Sequence, residues 1–380
     1  MSEQVDATRL RDLAFELVQV ESPTGNTFDV ARLYARRLSQ IGMTVEVLGG
    51  TFPTTPTVVG RLRGDRPGPT LVLNGHLDTV PIPHAPPRLE GDRIVGRGAA
   101  DMKGACACAA EAVRVVAANG SFAGELVIVA IGLHEAPDGR GQDLSFLLGE
   151  GGFRADMAIV CELSGRDVAV AHMGQATAEI AVSRPGTPSH ELQTPAGTPH
   201  PLLAAARVVE RIRRRNEELA KDEHPWVGAE TYFVGELHGG DFYNRFPVSC
   251  RIVGTRRWAP GNTLASVEAE YRALLDEVAA ETGCTIELDL RLVRESYEID
   301  LGSPLLLALQ RAYREVTGEE LRPVGLKTVA DGAIFAAAGI PVVYHGPIGE
   351  GVHGDVESIS VDELVRAARV YVETIGRLLA

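Results

Sequence analysis

An α/β architecture with a second, smaller unit inserted into it is what this sequence predicts, and three observations carry the prediction. Three apolar runs, LVLNGH at 71–76, ELVIVAIGL at 125–133 and DMAIVCEL at 156–163, read as buried strands, and each stops at a polar cluster. From about 175 the pattern changes to strand, helix, two strands, helix and strand; after Tyr297 the α/β character returns. At 380 residues, 45% of them hydrophobic, the chain exceeds what one ordinary core organises and carries enough apolar material for two.

In chain order, apolar positions recur at helical spacing in roughly 7–18 and 27–41, and period-two stretches follow near 44–48, 56–63 and 70–74. The Ala-rich segment from Gly104 to Asn119 reads as a helix. The middle third supplies a strand at ATAEIAVSRP, a helix over about 200–219, strands at TYFVGEL and CRIVGTRRW, a helix over about 263–282 and a strand at TIELDLRLV. That βαββαβ succession predicts a ferredoxin-like sandwich. Helices near 303–317 and 331–338, the short strand PVVYH, a Gly-rich loop at 346–354 and a helix over 361–379 complete the chain. The expected organisation is a discontinuous α/β domain of residues 1–175 and 293–380, with residues 176–292 inserted into it as a second domain.

Composition excludes several classes of function. A net charge of -14 argues against nucleic acid and against an anionic membrane surface, since both call for a basic patch. No apolar run has the length of a bilayer span, and MSEQVDATRLRDLAFELV reads as an amphipathic helix rather than a secretion signal, so cytoplasmic residence is expected. The five cysteines, at 106, 108, 161, 250 and 284, are odd in number and lack the paired spacing of a thiolate zinc site. Cys106 and Cys108, two apart on a helix, point to different faces and read as small packing residues.

The polar residues at the strand ends are His76 and Asp78, then His134 and Glu135, then Glu162, joined by Asp101 in an intervening loop and His353 in the last one. In an open α/β sheet, ligands bind in the crevice beyond the carboxyl ends of the strands. Any one of these residues alone reads more simply as a cap or a loop hydrogen-bonder; together, imidazoles and carboxylates without thiolates suit divalent zinc, cobalt or manganese. The set exceeds the needs of one ion, and a carboxylate shared between two metals is the expected use of it. Asp78, two residues beyond His76, would share its direction on a strand and hold the free imidazole nitrogen.

These residues lie inside longer motifs, and through them the chain resembles the M20 family of metallopeptidases and deacylases. NGHLDTVP resembles that family's first metal motif, GRGAADMKG its second, IVCEL the segment of its third ligand and GVHGDVE its final metal-histidine motif. TPSHEL, YNRFP and RRWAPG resemble the His, Asn and Arg segments of its lid, and the motifs fall in order from near the N-terminus to the last helix. The resemblance implies a metal-dependent amidohydrolase acting on an N-acyl amino acid or short peptide, one or two zinc ions (or cobalt or manganese), and a homodimer. It implies that His76, Asp101 and Glu162 hold one metal, that Asp101 and His353 hold the other, and that Asp78 orients His76. His190, Asn244 and Arg257 would grip the substrate carboxylate and the developing oxyanion, with His190 reaching across a dimer. The Asp101–Met102 peptide bond would be cis.

One stretch departs from the family. Where two adjacent glutamates are usual, a general base followed by a ligand of the second metal, this chain has Leu133, His134, Glu135 and Ala136. If Glu135 is the ligand, His134 falls where the base belongs; if Glu135 is the base, Ala136 stands in the ligand position and the second metal is weakened. The 34-residue interval from Asp101 to Glu135 favours the base, while the glycines at 139 and 141 align either way. A metal-activated water needs such a group to take its proton and pass it to the leaving nitrogen, and Arg257 suits a bidentate contact with a carboxylate. The missing glutamate also motivates a second class, a weakly active or non-catalytic small-molecule binding protein on the same fold. A serine hydrolase is set aside because no G-x-S-x-G elbow is present.

Overall fold

The computed structural model describes residues 4–162 and 165–380, which form two compact units. The first comprises residues up to Val170, Ile299–Val324 and Ala330–Ala380; the second comprises Ala171–Glu298 and Gly325–Val329.

The first unit is built on a twisted sheet whose four central strands are parallel and lie in the order Ala123–Ile131, Arg66–His76, Met157–Val160, Val342–Tyr344. Thr57–Arg63 and then Thr44–Leu48 add antiparallel strands on one side, and Asp167–His172 adds one on the other. Leu71–His76 and Leu126–Ile131 are buried without alternation, as expected of strands covered on both faces. Register then decides where the polar residues go: His76 pairs with Ile131, and Asn74 and Tyr344 both pair with Val160. The carboxyl ends of the four strands are therefore level, and the chain leaves each within a residue or two of the same line.

Two sequence expectations are corrected here, and three elements are added. The strand carrying Asp78 ends at His76, so Asp78 lies in the following loop and the shared direction expected on a strand does not apply. The third buried run is strand only over Met157–Val160, and its last residue, Leu163, lies outside the described residues. Asp167–His172, the helix Gln142–Leu148 and a small antiparallel sheet of Arg88–Glu90, Arg93–Val95 and Ser358–Ser360 carry too short a periodic signal to be read beforehand.

The helix Lys103–Asn119 lies against the sheet and against the helices Ala7–Gln19 and Val361–Leu378. Its run of Ala, Gly and Cys permits the close approach, and Cys106 and Cys108 are buried as small packing residues. Gly75 is the counterpart on the strand: a Cβ there would lie 2.8 Å from Cys106 Sγ and 3.1 Å from Met102 Cε.

In the second unit the antiparallel order is Thr231–Gly239, Ser249–Trp258, Gly174–Ser183, Thr285–Arg294, with the helices Pro201–Leu219 and Leu264–Thr282 between strands in sequence. Alternate residues Ala176, Ala178, Ile180 and Val182 pack with Ala204, Val208, Ile212, Val267, Tyr271 and Leu275, which is the helix-on-sheet core of a βαββαβ unit. Thr263 and Ser266 form a reciprocal capping box at the start of the second helix. No described helix is long and apolar enough to cross a membrane.

Gly75→Ala is expected to lower stability by about 1–3 kcal/mol through overpacking. Urea denaturation of the metal-free chain measures it, and Cys106→Ala in the same chain, by removing the nearest atom met, is expected to restore most of the loss.

Candidate metal centre

Seven residues singled out from the sequence, His76, Asp78, Asp101, His134, Glu135, Glu162 and His353, come together beyond the level strand ends of the first unit. His76 Nε2 is 3.1 Å from Asp101 Oδ1, and the other carboxylate oxygen of Asp101 is 3.3 Å from His353 Nε2. His353 Nε2 is in turn 3.1 Å from Glu135 Oε1. His76, Asp101 and Glu135 each offer a ligand atom within 4.8 Å of the others, and so do His76, His134 and Glu162.

The second group needs a geometric qualification. The His76 and His134 rings are stacked, 4.1 Å between centroids and 1° between planes. A nitrogen lone pair lies in the plane of its ring, so a cation in the plane of one imidazole is out of the plane of the other. His76 and His134 therefore do not converge on one ion. His134 Nε2 instead stands 3.6 Å from Glu162 Oε1, and its Nδ1 donates to Asp331 Oδ2 at 2.7 Å.

Backbone anchoring comes from carboxylates set behind these groups. Asp78 accepts from the amides of His134 at 3.0 Å and Glu135 at 2.8 Å and from the Thr24 hydroxyl at 2.9 Å. Its main-chain carbonyl takes the His76 Nδ1 proton at 3.0 Å, while its carboxylate stands 3.5 Å from that nitrogen. Asp78 thus contacts the imidazole mainly through its backbone and spends its carboxylate on the neighbouring loop. Glu357 does the same for the second motif: Oε1 accepts the amides of Ala100 and Asp101 at 2.8 and 2.9 Å, and Oε2 pairs with Arg97 at 2.9 Å. The Asp101–Met102 bond is cis, and His353 adopts a left-handed backbone with φ 59°. Thr24, Asp331 and Glu357 were not singled out in the sequence. Glu357 lies inside the GVHGDVE motif, and Asp331 precedes a short helix where it reads as a cap, so neither carried a distinct signal.

The electrostatics are those of a cation site. Burial pushes the Glu162 carboxyl up to about 7, against the pull of His134, and Glu162 Oε2 is buried with no hydrogen-bond partner among the described residues. Burial also raises Glu135. His353 is lifted to about 9, first by its hydrogen bond to Asp101 and, after an opposing desolvation, by Glu135. Desolvation pulls His134 down, but Asp331 and Glu162 outweigh it and hold the imidazole at about 9. A divalent cation would satisfy the orphaned oxygen and replace the protons that now balance the carboxylates, so this all-imidazole and carboxylate donor set fits zinc, cobalt or manganese.

The remaining predicted residues belong to the second unit. Asn244 Nδ2 lies 3.2 Å from His190 Nε2, and their strands Ser189–His190 and Arg245–Phe246 are paired. Arg257 donates to the Lys327 carbonyl at 2.7 Å, and among the described residues no carboxylate pairs with it.

Comparison with known proteins agrees with this chemistry. The family described as Peptidase family M20/M25/M40 matches residues 72–377. An N-formyl-4-amino-5-aminomethyl-2-methylpyrimidine deformylase from Bacillus subtilis is 25% identical, over 96% of this chain and 93% of its own. A succinyl-diaminopimelate desuccinylase from an Azoarcus species is 28% identical, with 97% of each chain covered. Aminopeptidase PepT from Bacillus cereus has a similar fold, with a TM-score of 0.84, 21% identity and coverage of 98% of this chain and 99% of that one.

Because His353 is held protonated up to about 9 in the metal-free centre, cation uptake must displace its proton. Titration with zinc at pH 7.5, followed calorimetrically in buffers of different ionisation enthalpy, is expected to release at least about one proton per chain. The apparent affinity is expected to rise with pH until the imidazole is neutral.

Proposed function

The chain belongs to peptidase family M20/M25/M40, a family of metal-dependent amide hydrolases, and we propose that its own substrate is a small N-acyl amino acid or short peptide, cleaved with the help of two zinc ions, cobalt or manganese being the alternatives. The observation that carries this reading is the convergence of His76, Asp101, Glu135 and His353, with Asp101 presenting one oxygen to each histidine. In this reading His76, Asp101 and Glu162 hold one cation and Asp101, Glu135 and His353 hold the other. The cations, when bound, activate water and polarise the scissile carbonyl.

Of the two roles open to Glu135, its contact with His353 supports that of ligand, which leaves proton transfer to His134. His134 Nε2 takes the proton of the attacking water and returns it to the leaving nitrogen, an imidazole doing what a glutamate does elsewhere in the family. The general-base role for Glu135, favoured by its interval from Asp101, would leave the second cation with Asp101 and His353 alone. His190, Asn244 and Arg257 grip the substrate in this proposal; a guanidinium that has no carboxylate partner among the described residues suits the carboxylate that amino-acid substrates share. Five buried, free cysteines suit a reducing, cytoplasmic compartment.

Assembly as a homodimer through the second unit is supported by its edge. Among the described residues the strand Thr231–Gly239 pairs on one side only, and Phe233, Leu237 and Tyr243 are 62%, 53% and 88% exposed on it and the loop that follows.

His76→Ala is expected to lose bound metal and turnover together on a panel of N-formyl, N-acetyl, N-succinyl and dipeptide substrates. Glu135→Gln should lower metal stoichiometry as well as rate, whereas His134→Ala should keep its metal and lose kcat by on the order of a hundredfold or more. Full metal content in Glu135→Gln, with the rate lost, would return Glu135 to the role of base. Light scattering at micromolar concentration is expected to give the mass of two chains, and Phe233→Glu with Leu237→Lys to give one.

A further inference from the structure

The ring of His134 is held from three directions, and each contact fixes something different. The His134 amide donates to the Asp78 carboxylate at 3.0 Å and sets where the residue starts. The stack on His76 sets the plane of the imidazole. Neither contact chooses which nitrogen points where, because turning the ring by half a revolution about its bond to Cβ keeps the plane and the stack while exchanging the nitrogens with carbons. The contact that makes this choice is the bond from Nδ1 to Asp331 Oδ2 at 2.7 Å.

Asp331 is almost completely buried, at 1% exposure, and stands just before the helix Gly332–Ala337. The amide that follows it, that of Gly332, donates to the Tyr344 hydroxyl at 2.5 Å, which ties this turn to the end of a central strand. The turn that carries Asp331 is thus anchored to the end of a strand of the sheet that carries the centre.

We propose that Asp331 is a positioning residue for hydrolysis. By accepting the Nδ1 proton of His134 it fixes the ring orientation and, in the neutral imidazole, the tautomer, so that Nε2 is the nitrogen presented beside Glu162. The inference rests on the assignment of proton transfer to His134. It accounts for how an imidazole can stand where a glutamate is usual: a carboxylate presents two equivalent oxygens and needs no choice of face, whereas an imidazole has one acceptor nitrogen and requires a partner to aim it. The same carboxylate, 2.7 Å from Nδ1, stabilises the imidazolium once Nε2 has taken its proton.

The test is a double-mutant cycle on the zinc-loaded enzyme, with metal stoichiometry measured on every variant. Asp331→Asn is expected to lower kcat by on the order of a hundredfold, with KM and bound zinc unchanged. In a His134→Ala background the same substitution is expected to change kcat by less than about threefold, because the group it aims is gone. Asp331→Ser replaces the Asn variant if that chain does not fold. Equal losses in the two backgrounds, loss of zinc alongside rate, or an Asp331→Asn enzyme with wild-type kcat while His134→Ala is crippled would each overturn the positioning role. A His134→Ala enzyme with full turnover overturns the underlying assignment, and that result is read from the single variant without reference to Asp331.

Discussion

The buried carboxylate of Asp78 joins the two strand ends on which the centre is built. It binds the amides of His134 and Glu135 and the hydroxyl of Thr24, while the carbonyl of the same residue receives the His76 imidazole. Hydrogen bonds to a charged acceptor contribute about 1.5–3 kcal/mol each, and a carboxylate with no exposure would be costly without them. Everything that the loop after Ala123–Ile131 presents, including Glu135 to His353 and His134 to Asp331, depends on those amides staying in place. Glu357 serves the Asp101 loop in the same way. Two ranks of carboxylates result, one binding amides within the protein and one facing the cation site.

That division also separates what the sequence reveals from what it conceals. His76, Asp101, Glu162 and His353 are legible because a strand end or a Gly-rich loop delivers each of them in a motif of fixed spacing. Thr24, Asp331 and Glu357 are silent because a side chain that bonds one distant group, the Asp78 carboxylate for Thr24, the His134 imidazole for Asp331 and backbone amides for Glu357, leaves no periodic mark, and its partner can be as distant in sequence as Ala100 is from Glu357. The α/β class and the order of elements in the inserted unit follow from hydrophobic period alone, since long amphipathic helices and alternating strands declare themselves. Asp167–His172 does not: six residues, nearly all buried, have no exposed face to set against a buried one.

The His134–Glu135 stretch marks where counting reaches its limit. An interval measured from Asp101 presumes that the intervening loops match in length, but the segment beyond Glu135 folds tightly back on itself. Gly139 N donates to the Glu135 carbonyl and Gly141 N to the Leu133 carbonyl, and a Cβ at Gly139 would lie 2.4 Å from that Glu135 oxygen. The glycines are required by this turn, so they locate the turn rather than the register of the acidic residue before it. Side-chain direction carries the finer distinction: Glu135 reaches His353, and His134 turns to Asp331.

The discontinuity of the first unit bears on how the protein is made. Val342–Tyr344 lies between Met157–Val160 and Asp167–His172 in the sheet, and His353 follows it on the same segment. A chain emerging from the ribosome therefore has every strand of the second unit available while the first still has a gap at its centre. Until residues 342–353 appear, the edges of Met157–Val160 and Asp167–His172 that face each other have no strand between them, and a cation meets only part of its donor set. Closure of the sheet and completion of the centre are one late event of high contact order. A nascent chain interrupted before that point would expose sticky strand edges and be a natural client for chaperones.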